Sequence, residues 1–251
     1  MISYKTPEEV EKMRRSGRIL ARTIDTVLAE VAPGKSTADL DAVAEAFILE
    51  QGATPSFKGY RGFPATICAS LNHEIVHGIP SRRRKLKDGD LLSLDFGAIW
   101  EGFHSDSAVT VFVGRPPSAE AALLVETTER ALAAGIAAIR PGARLTDISH
   151  AVEQVARGGG FEVVREYVGH GIGRKLHEDP QIPNYGPPGR GPELRPGLVI
   201  AVEPMVNLGT WRTRLLADDW TVVTADGSLS AHFEHTIAVT EDGHEVLTAR
   251  G

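Results

Sequence analysis

The sequence predicts an α+β fold of two related halves packed as one unit. Three observations carry that expectation. The order helix, helix, strand, hairpin partner occurs twice along the chain. A shift of 108 positions lays turn, helix and strand residues of the first occurrence on the second. Four carboxylates stand at matching places beside strand-like runs.

The elements follow in order. Thr6-Pro7-Glu8-Glu9 reads as a capping box with proline at the first helical position. Val10, Met13, Leu20, Ile24, Val27 and Val31 then give one apolar helical face, and Pro33-Gly34 is the stop. A second helix starts near Ser36 or Thr37, runs through Leu40, Val43 and Phe47, and ends at Gly52. Strand-like runs follow at Ala65–Ala69 and Leu91–Phe96, with a hairpin partner at Ser107–Val113. Ser118 caps a long helix reaching Pro141-Gly142, and a shorter helix runs from about Thr146 to Gly158. The later strand-like runs are Phe161–Val164, Leu198–Glu203, Trp220–Thr224 and Thr236–Thr240.

The shift of 108 puts Pro33-Gly34 on Pro141-Gly142, Asp39 on Asp147, Glu45 on Glu153, Leu91–Leu94 on Val199–Val202 and Asp95 on Glu203. After an insertion, Asp106-Ser-Ala-Val-Thr-Val resembles Glu234-His-Thr-Ile-Ala-Val. The expected unit spans residues 1–251, with halves of roughly 1–115 and 116–251.

Composition narrows the class. The 251 residues suffice for a sizeable core, and 42% hydrophobic with 24% charged residues is ordinary for a soluble globular protein. A net charge of -6 gives no reason for broad affinity to nucleic acid or anionic membranes. The single cysteine, Cys68, excludes an internal disulfide and suits a reducing compartment. No run is long enough to span a bilayer, and the N-terminus lacks the apolar core of a secretory signal, so a cytoplasmic protein is expected.

Asp95 and Glu203 end apolar runs, Asp106 leads into one, and Glu234 lies between Phe233 and another. Carboxylates in such places are costly unless compensated. Four brought together need cations, and two divalent ions would balance about four negative charges with room for a hydroxide. His170, within Val168-Gly169-His170-Gly171-Ile172-Gly173, has no repeat counterpart. One imidazole among many oxygens favours Mn, Fe or Co over a dedicated Zn site. The flanking glycines are expected to let backbone and substrate approach closely.

The blocks from Cys68 to Pro80, Leu94-Asp95-Phe96-Gly97, His104-Ser105-Asp106, Gly169 to Arg174, His177-Glu178-Asp179-Pro180, Val202-Glu203-Pro204 and Phe233-Glu234-His235-Thr236 resemble the type I methionine aminopeptidases. The resemblance covers nearly the whole chain. It implies a single catalytic domain with the pseudo-twofold pita-bread fold, two α+β halves around a curved antiparallel sheet. The implied reaction is removal of the initiator methionine from nascent chains with a small second residue, by a metal-bound hydroxide. The implied roles are Asp95 on one metal, His170 and Glu203 on the other, and Asp106 and Glu234 bridging. Glu203 doubles as general base, while His77 and His177 contact the scissile peptide. Tyr60, Phe63, Cys68 and Trp220 match the methionine pocket, and an apolar, thiol-lined slot suits a polarizable thioether. A monomer is implied. Phe63 stands where tyrosine is frequent, Leu176 where phenylalanine is, His232 where glutamine is, and Phe57 where some relatives have cysteine. These departures touch the pocket and no ligand.

His73-Glu74-Ile75-Val76-His77 spells the zinc-protease motif H-E-x-x-H, which works only on a helix. Pro64 and Gly78-Ile79-Pro80 leave no room for one, so the motif is read as accidental. Arg82-Arg83-Arg84-Lys85 is read as a solvated loop, with contact to ribosomal RNA as the functional alternative. Cys68 is read as a pocket residue and not a nucleophile. Two other functions compete: an x-Pro peptidase of the same fold, expected to carry a further N-terminal domain, and a non-catalytic binding module that lost its metals.

Overall fold

The computed structural model describes residues 1–251. Its four helices are α1 (Pro7–Leu28), α2 (Thr37–Glu50), α3 (Ala119–Ala137) and α4 (Leu145–Gly158). Their starts are set by side-chain caps. Thr6 Oγ1 accepts the Glu9 N–H while the Glu9 carboxylate accepts the Thr6 N–H, and Ser36 with Asp39 repeats the exchange for α2. Ser118 caps α3 through the Ala121 N–H. At α4 the Asp147 carboxylate accepts the Arg144 N–H at 2.8 Å.

Both long helices stop short of their Pro-Gly signals. The chain then turns through Gly34 and Gly142, at φ of 89° and 83°, a left-handed conformation that glycine adopts without strain. The Gly34 N–H donates to Leu86 O at 2.8 Å, and the Gly142 N–H to Leu194 O at 3.0 Å. In return the Leu86 N–H donates to Lys35 O and the Leu194 N–H to Ala143 O, both at 2.8 Å. Every partner in the second set lies 108 positions after its counterpart. The repeat read from the sequence is thus also a repeat of hydrogen bonds.

The antiparallel centre is built from two separately registered sheets. In the first half the strand Leu91–Trp100 pairs along its whole length with Phe103–Phe112, across a tight turn at Glu101-Gly102. Its other edge pairs with Ile67–Leu71, which sets Cys68 opposite Asp95. In the second half Val199–Val202 pairs with His235–Val239 and with Gly169–Gly171. Pro204 has no N–H to continue that ladder, and Met205–Asn207 pairs instead with Ser230–His232 in another sheet.

The two central sheets are joined by mixed backbone and hydroxyl bonds. Ala108 and Glu234 exchange N–H and C=O bonds at 3.3 and 3.0 Å. The Thr236 hydroxyl accepts the Asp106 N–H at 3.0 Å and donates to the Asp106 carbonyl at 2.8 Å. The Thr110 hydroxyl does the same for His232, at 2.8 and 2.7 Å. A single cluster of 27 buried residues, from Leu20 and Leu94 to Ile148, Val202 and Ile237, draws on both sets of elements. They share one core.

The H-E-x-x-H run folds as a short strand, Glu74–Val76, so its two histidines do not share a helical face. The run expected as a strand from Trp220 begins at Val222 and leaves Trp220 in a turn; the short strand Thr213–Leu215 beside it lacks the alternation that would have announced it. No helix is long and apolar enough to cross a membrane.

Candidate metal centre

Asp95 and Asp106 sit on the two arms of the first hairpin, in register with Ala108 and Gly97 respectively. Gly97 is required there: a Cβ would lie 2.6 Å from Ser56 Cβ and 2.7 Å from the Phe57 ring. Glu203 follows Val199–Val202, and Glu234 precedes His235–Val239. His170 lies at the centre of its short strand, paired with Ala201. The glycines beside it admit the neighbouring backbone. A Cβ on Gly169 would meet Ala201 O at 2.4 Å, and one on Gly171 would meet Asp179 O at 2.1 Å.

These elements bring all five groups to the floor of one cavity of about 280 Å³. His170 Nε2 lies 3.8 Å from Asp106 Oδ2 and 3.5 Å from Glu203 Oε1. Donor atoms of Asp106, His170 and Glu234 all fall within 4.8 Å of one another. His170 Nδ1 donates to the Gly171 carbonyl at 2.9 Å, which leaves the Nε2 lone pair facing the carboxylates.

The electrostatics are those of a cation site. Burial pushes the Asp95 carboxyl up to about 7. Burial, then the charges of Asp95 and Glu203, raises Asp106 well above the usual carboxylate range. Glu203 is raised by burial and by Asp95, and Glu234 by burial and its three acidic neighbours. Burial holds His170 down at about 3, and therefore neutral. Asp95 Oδ1, Asp106 Oδ1 and Glu234 Oε1 are buried without a hydrogen-bond partner. Buried carboxyl oxygens left without partners in this way, beside a neutral imidazole lone pair, fit divalent cations.

The cavity walls carry the expected pocket residues. Tyr60, Phe63, Cys68, His77, His177 and Trp220 all line it, with Phe57 and Leu176. Phe63 and Trp220 meet edge to face at 5.0 Å. Burial raises the Cys68 thiol well above its ordinary value, which disfavours the thiolate. Burial lowers His77 to about 4, and burial together with the Arg61 charge lowers His177.

Three features escaped the sequence. Tyr60 is more than a wall: its hydroxyl bonds His177 Nδ1 at 2.8 Å. Arg61 and Tyr167 also line the cavity. A wider cavity of about 520 Å³ lies along His170 and His177, lined by Met1, Ser3, Lys175, Glu178, Asp179 and Gln181. The tyrosine contact spans 117 positions, and no local pattern signals it.

The sequence pattern of metallopeptidase family M24 matches residues 11–241, and the chain belongs to that family. Within it the similarity is to methionine aminopeptidases. The chain is 55% identical over 248 residues to methionine aminopeptidase 1 of Bacillus subtilis, covering 99% of each. It is 50% identical to methionine aminopeptidase 1 of Mycobacterium tuberculosis, over 99% of this chain and 95% of that one. The crystal structure of methionine aminopeptidase from Thermotoga maritima matches with a TM-score of 0.98 at 46% identity over the full length of both chains. Prolidase from Pyrococcus furiosus matches with a TM-score of 0.81 at 23% identity, and the chain covers 66% of it, a likeness of fold alone. The pita-bread fold expected from the sequence is borne out, as is a metallopeptidase that uses divalent metal.

Proposed function

We propose that this chain removes the initiator methionine from new polypeptides whose second residue is small. One observation carries the reading: a single cavity has five metal-binding side chains on its floor and an apolar, aromatic slot beside them. The whole cavity, floor included, is about 280 Å³, just under the size of small-molecule pockets, and so leaves room for little more than one side chain.

Two divalent ions are assigned to the floor. Asp95 would hold one, His170 and Glu203 would hold the other, and Asp106 and Glu234 would serve both. The oxygen-rich donor set with one imidazole suits Mn, Fe or Co, with Zn a poorer match. When bound, such ions polarise a peptide carbonyl and make a water acidic enough to react at neutral pH.

The chain's own residues do the rest. Phe63, Cys68, Leu176 and Trp220 take the methionine side chain and exclude solvent around it. Glu203, at the edge of the floor, accepts the proton of the attacking water and delivers it to the leaving amine. The Tyr60 hydroxyl bonds Nδ1 of His177; with the hydroxyl as donor, His177 would carry its proton on Nε2, free to stabilise charge on the scissile carbonyl oxygen. His77 faces Trp220 at 6.3 Å and Tyr167 at 5.8 Å, where it contacts the same peptide.

We read the chain as a monomer acting as a single catalytic domain over residues 1–251, with halves near 1–115 and 116–251. Arg82, Arg83 and Lys85 are exposed while Arg84 pairs with Glu74, an arrangement that favours the solvated-loop reading over ribosome contact. A peptide panel tests the function: Met-Ala-x and Met-Gly-x are cleaved once Mn or Co is added, and x-Pro peptides are not. Cleavage by protein stripped of metal, or a preference for x-Pro, would overturn it.

A further inference from the structure

We infer that His232 is a positioning residue for Glu234, donating a hydrogen bond from its Nε2–H to the Glu234 carboxylate. His232 is 2% exposed, its Nε2 has no partner, and that atom stands 4.0 Å from Glu234 Oε2. An unpaired polar atom in such a place costs free energy unless a bound state uses it.

The two buried imidazoles near the floor differ in one respect. His170 has Nδ1 committed to the Gly171 carbonyl, so its Nε2 presents a lone pair, the state of a metal ligand. His232 has no such acceptor on Nδ1, and its Nε2 faces a carboxylate. Once a cation is held, Glu234 would be ionised and a lone pair there would repel its oxygen, so Nε2 would carry the proton. The first imidazole is arranged to ligate and the second to donate.

The ring cannot drift away from this task. Thr110 holds both the N–H and the C=O of His232, and residue 232 is also in register with Met205. The Glu234 backbone is fixed in turn by Ala108. The remaining gap is about 1 Å longer than a hydrogen bond, and the proposal requires the glutamate side chain to close it. A carboxylate oxygen of Glu234 belongs to the group formed with Asp106 and His170, and its Oε1 has no hydrogen-bond partner.

The inference rests on the metal reading given above. It is tested by titrating metal-free protein with Co²⁺, followed by calorimetry and by the visible spectrum of the bound cobalt. The expected result for His232→Leu is a weakening of the ions served by Glu234 of about 10–100-fold, with an unchanged spectrum per ion bound. His232→Gln, which keeps an N–H donor, is expected to restore affinity to within about threefold. Thermal unfolding of the metal-free variants shows that both fold. Wild-type affinity in His232→Leu, or equal weakening in both variants, would overturn the inference. A cobalt spectrum altered in both would make His232 a ligand, also contrary to it. Failure of the wild-type protein to bind any ion would instead overturn the metal reading.

Discussion

The two halves of the molecule deliver carboxylates to the same floor by different means. In the first half Asp95 and Asp106 sit inside ten-residue strands paired without interruption. In the second half each strand breaks at its acid: Pro204 follows Glu203, and Glu234 spends its own N–H and C=O on Ala108 of the other half. The regular half offers short aspartates from a stiff ladder. The interrupted half offers longer glutamates, and its insertion adds Trp220 to the pocket. A repeat can therefore keep its donors while one copy gives up regular pairing to join the halves and build a substrate slot.

The largest effect tests both halves at once. Chelation is expected to abolish turnover, with recovery on adding Mn, Co or Fe. The same experiment has a stability arm. Burial raises the Asp95, Asp106, Glu203 and Glu234 carboxyls in the metal-free fold. Their contribution to stability is fully present below the ordinary value of about 4 and is lost as pH rises through the raised one, about 7 for Asp95. Cations take over from those protons. The gain in Tm on adding Mn²⁺ should then be greater near pH 7.5 than near pH 5.5, and an equal gain at both would break the account.

The next largest effect separates the halves. Glu203→Gln is expected to keep the circular dichroism spectrum while lowering kcat by about 10²–10⁴-fold, because the proton acceptor is gone. A loss below tenfold would move that role to another residue.

The junction comes third. Thr236→Val removes a hydroxyl that satisfies both the N–H and the C=O of Asp106, and Thr110→Val does the same at His232. Each should cost about 1–3 kcal/mol in denaturant unfolding. Values near zero would mean the halves are held by their shared core alone. In the insertion, Trp220→Ala should raise KM for methionyl peptides by about tenfold with kcat less affected, from lost apolar contact. The smallest effect is expected at the surface. Neutralising Arg82, Arg83 and Lys85 should leave co-sedimentation with ribosomes at low salt unchanged, and a clear drop would assign the contact to that loop.

Local chemistry made much of this legible in the sequence. Capping boxes at Thr6 and Ser36, the Pro-Gly stops and the apolar periodicity are all written within a few residues. The repeat at one offset placed Asp95 against Glu203 before any coordinates, and the five proposed ligands do share a cavity. The contact between Tyr60 and His177 was not legible, nor were the hydroxyl bridges at Thr110 and Thr236. Those depend on side chains more than a hundred positions apart, and a threonine in a strand reads as β-propensity whether or not its hydroxyl spans two sheets. The glycines around His170 were legible as close approach, but the approaching group turned out to be the neighbouring backbone.

Cys68 faces Asp95 from the next strand and is 4% exposed. With its proton held so firmly, the sulfur offers little thiolate to an electrophile or a peroxide. Covalent reagents chosen for reactivity toward ionised cysteine are expected to react slowly in this slot, and binders for it would draw on shape and on the floor of oxygens.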